Sequence, residues 1–180
     1  MSLRFPCSVP LKPFSPPPAG LVRALDVRLT EPAPGILVLR YVLDADLSRL
    51  RIPVSRTPRR ADGLWQHTCF EMFARRAAGA PAYYELNASP STEWALYAFE
   101  DYHENLDRVN PRQPPEIRVA RAEDRLEVEV RADLRGLPYA GGMTPAAVVE
   151  DDSGELSYWA LKHAGPKPDF HDPAGFLLKP

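Results

Sequence analysis

The sequence predicts an all-β fold, a β-sandwich of the jelly-roll or immunoglobulin-like type with about nine to eleven short strands. Three observations predict it. The chain of 180 residues carries 21 prolines, and proline is excluded from helix interiors and central strands, so the chain reverses often between short elements. Several segments alternate apolar and polar residues with a period of two, the signature of a half-buried strand. No amphipathic pattern longer than about three helical turns interrupts them.

Taken in order, residues 1–20 hold Pro6, Pro10, Pro13 and the run Pro16-Pro17-Pro18, which reads as an extended arm of polyproline character. Residues 21–180 then form one domain. Leu25, Val27 and Leu29 alternate with Asp26, Arg28 and Thr30, so 25–30 is a strand with one apolar face. The turn 31–35, rich in proline and ending in glycine, leads into Ile36–Leu43, apolar on both faces except at Arg40 and therefore expected to be central. Residues 44–60 carry Pro53, Pro58 and five arginines and read as a loop with one helical turn at most.

Beyond a polar connection at 101–115, Glu116–Ala122 and Arg125–Ala132 form a hairpin. In the second strand Leu126, Val128, Val130 and Ala132 alternate with charged residues. Two further strands, Ala146–Asp151 and Leu156–Leu161, are joined by the turn Asp152-Ser153-Gly154. An irregular tail from Gly165 ends in Phe176-Leu177-Leu178.

Composition narrows the function. At this length folding buries roughly 70% of the surface of the unfolded chain, so no disulfide staple is needed. Lys plus Arg number 22 against 24 Asp plus Glu, a net charge of −2, which offers no electrostatic footprint for nucleic acid or an anionic membrane. Cys7 and Cys69 match no zinc or redox spacing. No apolar run reaches the ~20 residues of a membrane span, and the early prolines break any secretory signal. The expectation is a cytoplasmic protein.

Chemistry concentrates between Gly63 and Phe99. On a strand over 68–75, Phe70, Met72 and Ala74 oppose Cys69, Glu71 and Phe73; on a strand over 82–88, Tyr84, Leu86 and Ala88 oppose Tyr83, Glu85 and Asn87. Antiparallel pairing with the apolar faces in register puts Glu71, Glu85 and Asn87 on the other face, with Trp65 at its rim. Carboxylates and an amide among aromatics suit a sugar, whose C–H faces stack on rings and whose hydroxyls exchange hydrogen bonds. The same pattern is compatible with a solvated outer face carrying no ligand, and Glu71 with Glu85 also reads as a pair of glycosidase acids. His163 and His171, with Asp169 and Asp172, are candidate metal or haem ligands, and Glu150, Asp151, Asp152, Asp44 and Asp46 candidate oxygen ligands for a structural calcium ion.

The segments LWQHTCFEMF (64–73), YYELNASPSTEWALYAF (83–99) and SYWALKHAGPKPDFHDPAGFLL (157–178) resemble the bacterial DOMON-like domains related to carbohydrate-binding module family 9. The resemblance covers 21 to the C-terminus and implies a sandwich that binds a small molecule, a sugar or sugar-containing metabolite, without catalysis. It implies that Trp65 and Glu71, matching the family's LWxxxCxExF pattern, contribute to the sugar site, that Asn87 supplies a polar contact, and that Trp159 closes an aromatic clamp. Other relatives hold haem through Met and His. Haem is therefore the alternative cofactor to none, and Met72 is expected in the core rather than at a ligand site.

Overall fold

A computed structural model describes residues 5–104 and 106–178. The first four residues of the proline-rich arm, Met1 among them, and the last two of the chain lie outside the described residues. The strands are β1 (Cys7–Pro10), β2 (Lys12–Pro13), β3 (Val22–Ala33), β4 (Ile36–Ala45), β5 (Cys69–Arg75) and β6 (Tyr83–Ala88), then β7 (Trp94–Phe99), β8 (Asp107–Arg108), β9 (Glu116–Arg121), β10 (Arg125–Asp133), β11 (Met143–Glu150) and β12 (Leu156–Ala160). They form two antiparallel sheets, a five-stranded one ordered β1-β3-β4-β10-β9 and a seven-stranded one ordered β2-β12-β11-β5-β6-β7-β8. The all-β sandwich expected from the sequence is the observed fold. No helix among the described residues is long and apolar enough to cross a membrane.

Between the sheets lies the core. Leu25, Val27 and Leu29 of β3 face it, as do Leu37, Leu39, Tyr41 and Leu43 of β4 and Leu126, Val128 and Val130 of β10. From the other sheet come Phe70, Met72, Tyr84, Leu86, Leu96 and Trp159. The period-two alternation read from the sequence is thus the alternation between this core and each sheet's outer face. β4 is central, paired with β3 on one side and β10 on the other.

The proline-rich arm is stitched into the sandwich rather than lying apart from it. β1 pairs with β3 at the edge of one sheet and β2 with β12 at the edge of the other. Edge strands tolerate Pro10 and Pro13 because one side of the backbone has no ladder to complete. Pro145 is accommodated inside β11 by a similar device: the ladder with β12 begins only at Ala146, so the missing N–H falls where that side of the strand is open.

The outer face of the seven-stranded sheet is covered. Phe73, Tyr83, Ala95, Tyr97, Phe99, Ala146 and Ala160 make a second apolar cluster with Phe176, against which Leu64 and Phe170 pack. Consequently β6, β7 and β11 have no exposed residue along their whole length. The covering comes from the 3-10 turn Leu64–Gln66 before β5, residues 101–104 and the C-terminal segment 162–178. That segment is tied down where Leu178 bridges to Met143.

Candidate functional site

Between this sheet face and its covering segments lies a cavity of about 1260 Å³. Its floor is built by the β5–β6 ladder. Glu71 is directly opposite Asn87 and Phe73 opposite Glu85, so the four side chains share the outer face, and β7 extends it with Tyr97 opposite Glu85. Glu71, Glu85 and Tyr97 line the cavity. Trp65 stands at the mouth, 51% exposed, carried by the 3-10 turn that Gly63 opens with φ 71°, a left-handed conformation that glycine adopts without strain.

Asn87 is fully buried and does not line the cavity. Its Nδ2 donates to Glu85 Oε1 at 2.6 Å and holds that carboxyl in place. Trp159 is not brought to the site. The register Ala147↔Trp159 turns it toward the inter-sheet core, where it is 3% exposed and its indole N–H donates to Ser157 Oγ at 3.0 Å. Tyr158, its neighbour in sequence, is the β12 aromatic that lines the cavity.

Other groups complete the walls. The Tyr97 hydroxyl donates to Asp62 Oδ1 at 2.7 Å, and Asp62 also pairs with Arg108. The Tyr83 hydroxyl is 2.6 Å from His171 Nδ1, and the His171 ring lies 4.0 Å from that of His103. Asp169 accepts from the His171 backbone N–H at 2.9 Å and from the Tyr102 hydroxyl, and lies 3.6 Å from His103 Nε2. Residues 101–104 and the segment 167–171 are thereby clasped together over the sheet.

The alternation argument applied to Trp94–Phe99 exposes Tyr97 and Phe99 as members of this face. His103, Asp169 and His171 carry no comparable signal, because irregular segments fix no facing.

Burial dominates the electrostatics. Glu71 is 3% exposed, and one of its oxygens, Oε1, has no hydrogen-bond partner. Burial and then the neighbouring Glu85 push its carboxyl well above the usual range. Glu85 is pushed up to about 7 by burial, against the Asn87 hydrogen bond. Burial and the nearby His103 take His171 down to about 4, so its imidazole is neutral near pH 7. The Cys69 thiol, fully buried, is raised by burial and is unreactive.

Among the described residues no group of three or more His, Cys, Asp or Glu is placed to hold a metal ion. His163 is remote from His171, with Nε2 2.9 Å from the Lys12 carbonyl. The acids considered for calcium are engaged separately: Glu150 with Arg51 and His67, Asp44 with Arg23, Asp46 with Ser48, and Asp151 with its own turn. Met72 packs in the inter-sheet core, on the face opposite the cavity.

No family model and no curated protein matches the chain. Among solved structures, a protein from Bacteroides uniformis provisionally described as carbohydrate-binding superposes with a TM-score of 0.60 at 14% identity, over 95% of this chain and 84% of that one. A carbohydrate-binding module of family 9 from Caldicellulosiruptor kristjanssonii, in complex with glucose, gives a TM-score of 0.46 at 15% identity, over 77% of this chain and 66% of that one. At such identity the first likeness is one of fold.

Proposed function

We propose that this protein binds a carbohydrate in the cavity over the seven-stranded sheet and performs no chemistry on it, as the DOMON-like resemblance implies. One observation carries the reading: a buried, unpartnered oxygen of Glu71 lies at the floor of a large cavity whose mouth holds a half-exposed tryptophan. A buried polar atom without a partner is costly, and a ligand hydroxyl or amine would satisfy it. Indole supplies the apolar platform for a sugar ring, and the tyrosines of the wall add amphipathic surface. The description of the Bacteroides uniformis protein as carbohydrate-binding supports the same reading.

Calorimetric titration with a panel of mono- and oligosaccharides tests it. Binding of at least one sugar, lost in Trp65→Ala, is expected; no heat from any sugar overturns the reading.

A further inference from the structure

The floor of the cavity is built of acidic groups with no cationic partner among the described residues. Glu71 Oε1 is buried and unpartnered. The Asn87 amide N–H₂, the donor half of that side chain, is spent on Glu85 Oε1. Tyr97 donates outward to Asp62. The Tyr83 hydroxyl lies 2.6 Å from His171 Nδ1, and the other ring nitrogen, Nε2, is 3.7 Å from Glu85 Oε2, beyond hydrogen-bonding reach. Among the described residues no Lys or Arg comes within 4.0 Å of either carboxyl, and His171 is the one basic side chain that does.

Two buried acids thus share a wall with no positive partner, so burial favours their neutral forms until a ligand supplies the positive charge. A sugar hydroxyl both donates and accepts, so it matches a floor of mixed groups. An ammonium carries three donors and no acceptor. The aromatic lining, with Trp65, Tyr97, Tyr158 and Phe170, also attracts a cation through the ring faces. A calcium or magnesium ion fits less well, because it takes six or more oxygen ligands and only two carboxyls line this floor.

We propose that the ligand presents a protonated amine to Glu71 and Glu85, so that the site takes an amino sugar in preference to a neutral one. This rests on the carbohydrate reading for the ring, but the amine is set by the floor alone. Burial pushes both carboxyls toward the protonated form in the free protein, Glu85 to about 7. A cation seated on them reverses the shift and expels protons to solvent. A neutral sugar leaves those protons in place. The other titratable or charged groups that line the cavity are Tyr97 on β7, Tyr158 on β12, and Asp62, Arg108, His103, Lys167, Asp169 and His171, while Cys69 of β5 and Tyr83 of β6 lie close to the carboxyls. Of these, Asp62 is already neutralised by Arg108, and Asp169 faces His103.

The test is calorimetry on the whole protein at pH 6.5 with glucosamine, glucose, N-acetylglucosamine and ethanolamine, each in two buffers of different ionisation enthalpy. Glucosamine is expected to bind about tenfold or more tighter than glucose or N-acetylglucosamine, the scale of a charge-assisted hydrogen bond, with protons released to the buffer. Glu71→Gln, near-isosteric, is expected to remove that preference and to reduce the proton release. Glucose binding as tightly as glucosamine, or glucosamine binding without proton release, overturns the amine and leaves the sugar reading standing. Ethanolamine binding with proton release while no sugar binds keeps the amine and overturns the sugar. Silence from all four overturns both.

Discussion

The hydroxyl of Tyr41, on β4 of the five-stranded sheet, crosses the interior and donates to the backbone carbonyl of Glu71 on β5 at 2.5 Å. The hydrophobic core and the floor of the cavity are therefore joined at one residue. Tyr41 is 1% exposed and its ring packs 5.0 Å from that of Phe70, so the hydroxyl has no water to fall back on. Tyr41→Phe keeps the ring and deletes this bond. A loss of about 1 kcal/mol is expected in chemical denaturation, the net worth of a typical internal hydrogen bond. An unchanged midpoint would mean that the contact contributes nothing.

Stability should fall on the alkaline side of neutrality. The folded-state acidities of Glu71 and Glu85 are raised above the ordinary 4.5, that of Glu85 to about 7. The folded protein keeps these protons where the unfolded chain has released them, so their contribution is fully present below about pH 4.5 and is lost as pH rises through about 7 and beyond. His171 works with the opposite sign. Lowered from 6.5 to about 4, it costs stability as pH falls between those values. The two effects oppose each other below pH 6.5, and only the carboxyl effect continues above it. The melting temperature of the wild type is expected to drop between pH 6.5 and 9, by the equivalent of about 1 kcal/mol or more. The double variant Glu71→Gln, Glu85→Gln should show a flatter curve, and a wild-type curve equally flat would refute the assignment.

Trp65 and Trp159 separate function from folding. Trp65 is half-exposed at the cavity mouth, so Trp65→Ala should leave stability within about 0.5 kcal/mol while abolishing sugar binding. Trp159 is 3% exposed in the inter-sheet core, where truncation of a large aromatic costs about 3–5 kcal/mol. Denaturation and calorimetry on the two single variants distinguish these roles. A Trp159→Ala protein as stable as wild type would contradict its place in the core.

The contrast between these tryptophans also marks what the sequence could reveal. Glu71, Glu85 and Asn87 were legible as one face because period-two alternation fixes facing within a strand, and apolar Phe70, Met72, Tyr84 and Leu86 fix which face turns inward. The assignment of Trp159 rests on the family resemblance, which says nothing about facing, and Tyr158 occupies the wall instead. The arm was legible as extended but not as paired, since its partners β3 and β12 depend on tertiary closure. Least legible was the cover. His103, Asp169 and His171 meet across 68 residues of chain, through side-chain contacts rather than any local pattern.

That cover hangs on Asp169. Its carboxylate accepts from the Tyr102 hydroxyl, faces His103 Nε2 at 3.6 Å and accepts from the His171 backbone N–H at 2.9 Å, so one side chain clasps residues 101–104 to the segment 167–171. The contacts lie at the rim, where hydrogen bonds and ion pairs each contribute about 1 kcal/mol or less to global stability. Local opening is a different matter, because the segment has no ladder of its own to resist it. In Asp169→Ala the global denaturation midpoint should shift by the equivalent of about 1 kcal/mol at most. Amide hydrogen exchange should instead accelerate selectively in 101–104 and 167–172, with β5 and β6 unchanged. Exchange that speeds up evenly across the sandwich would show that Asp169 supports the whole fold and not the cover of the cavity.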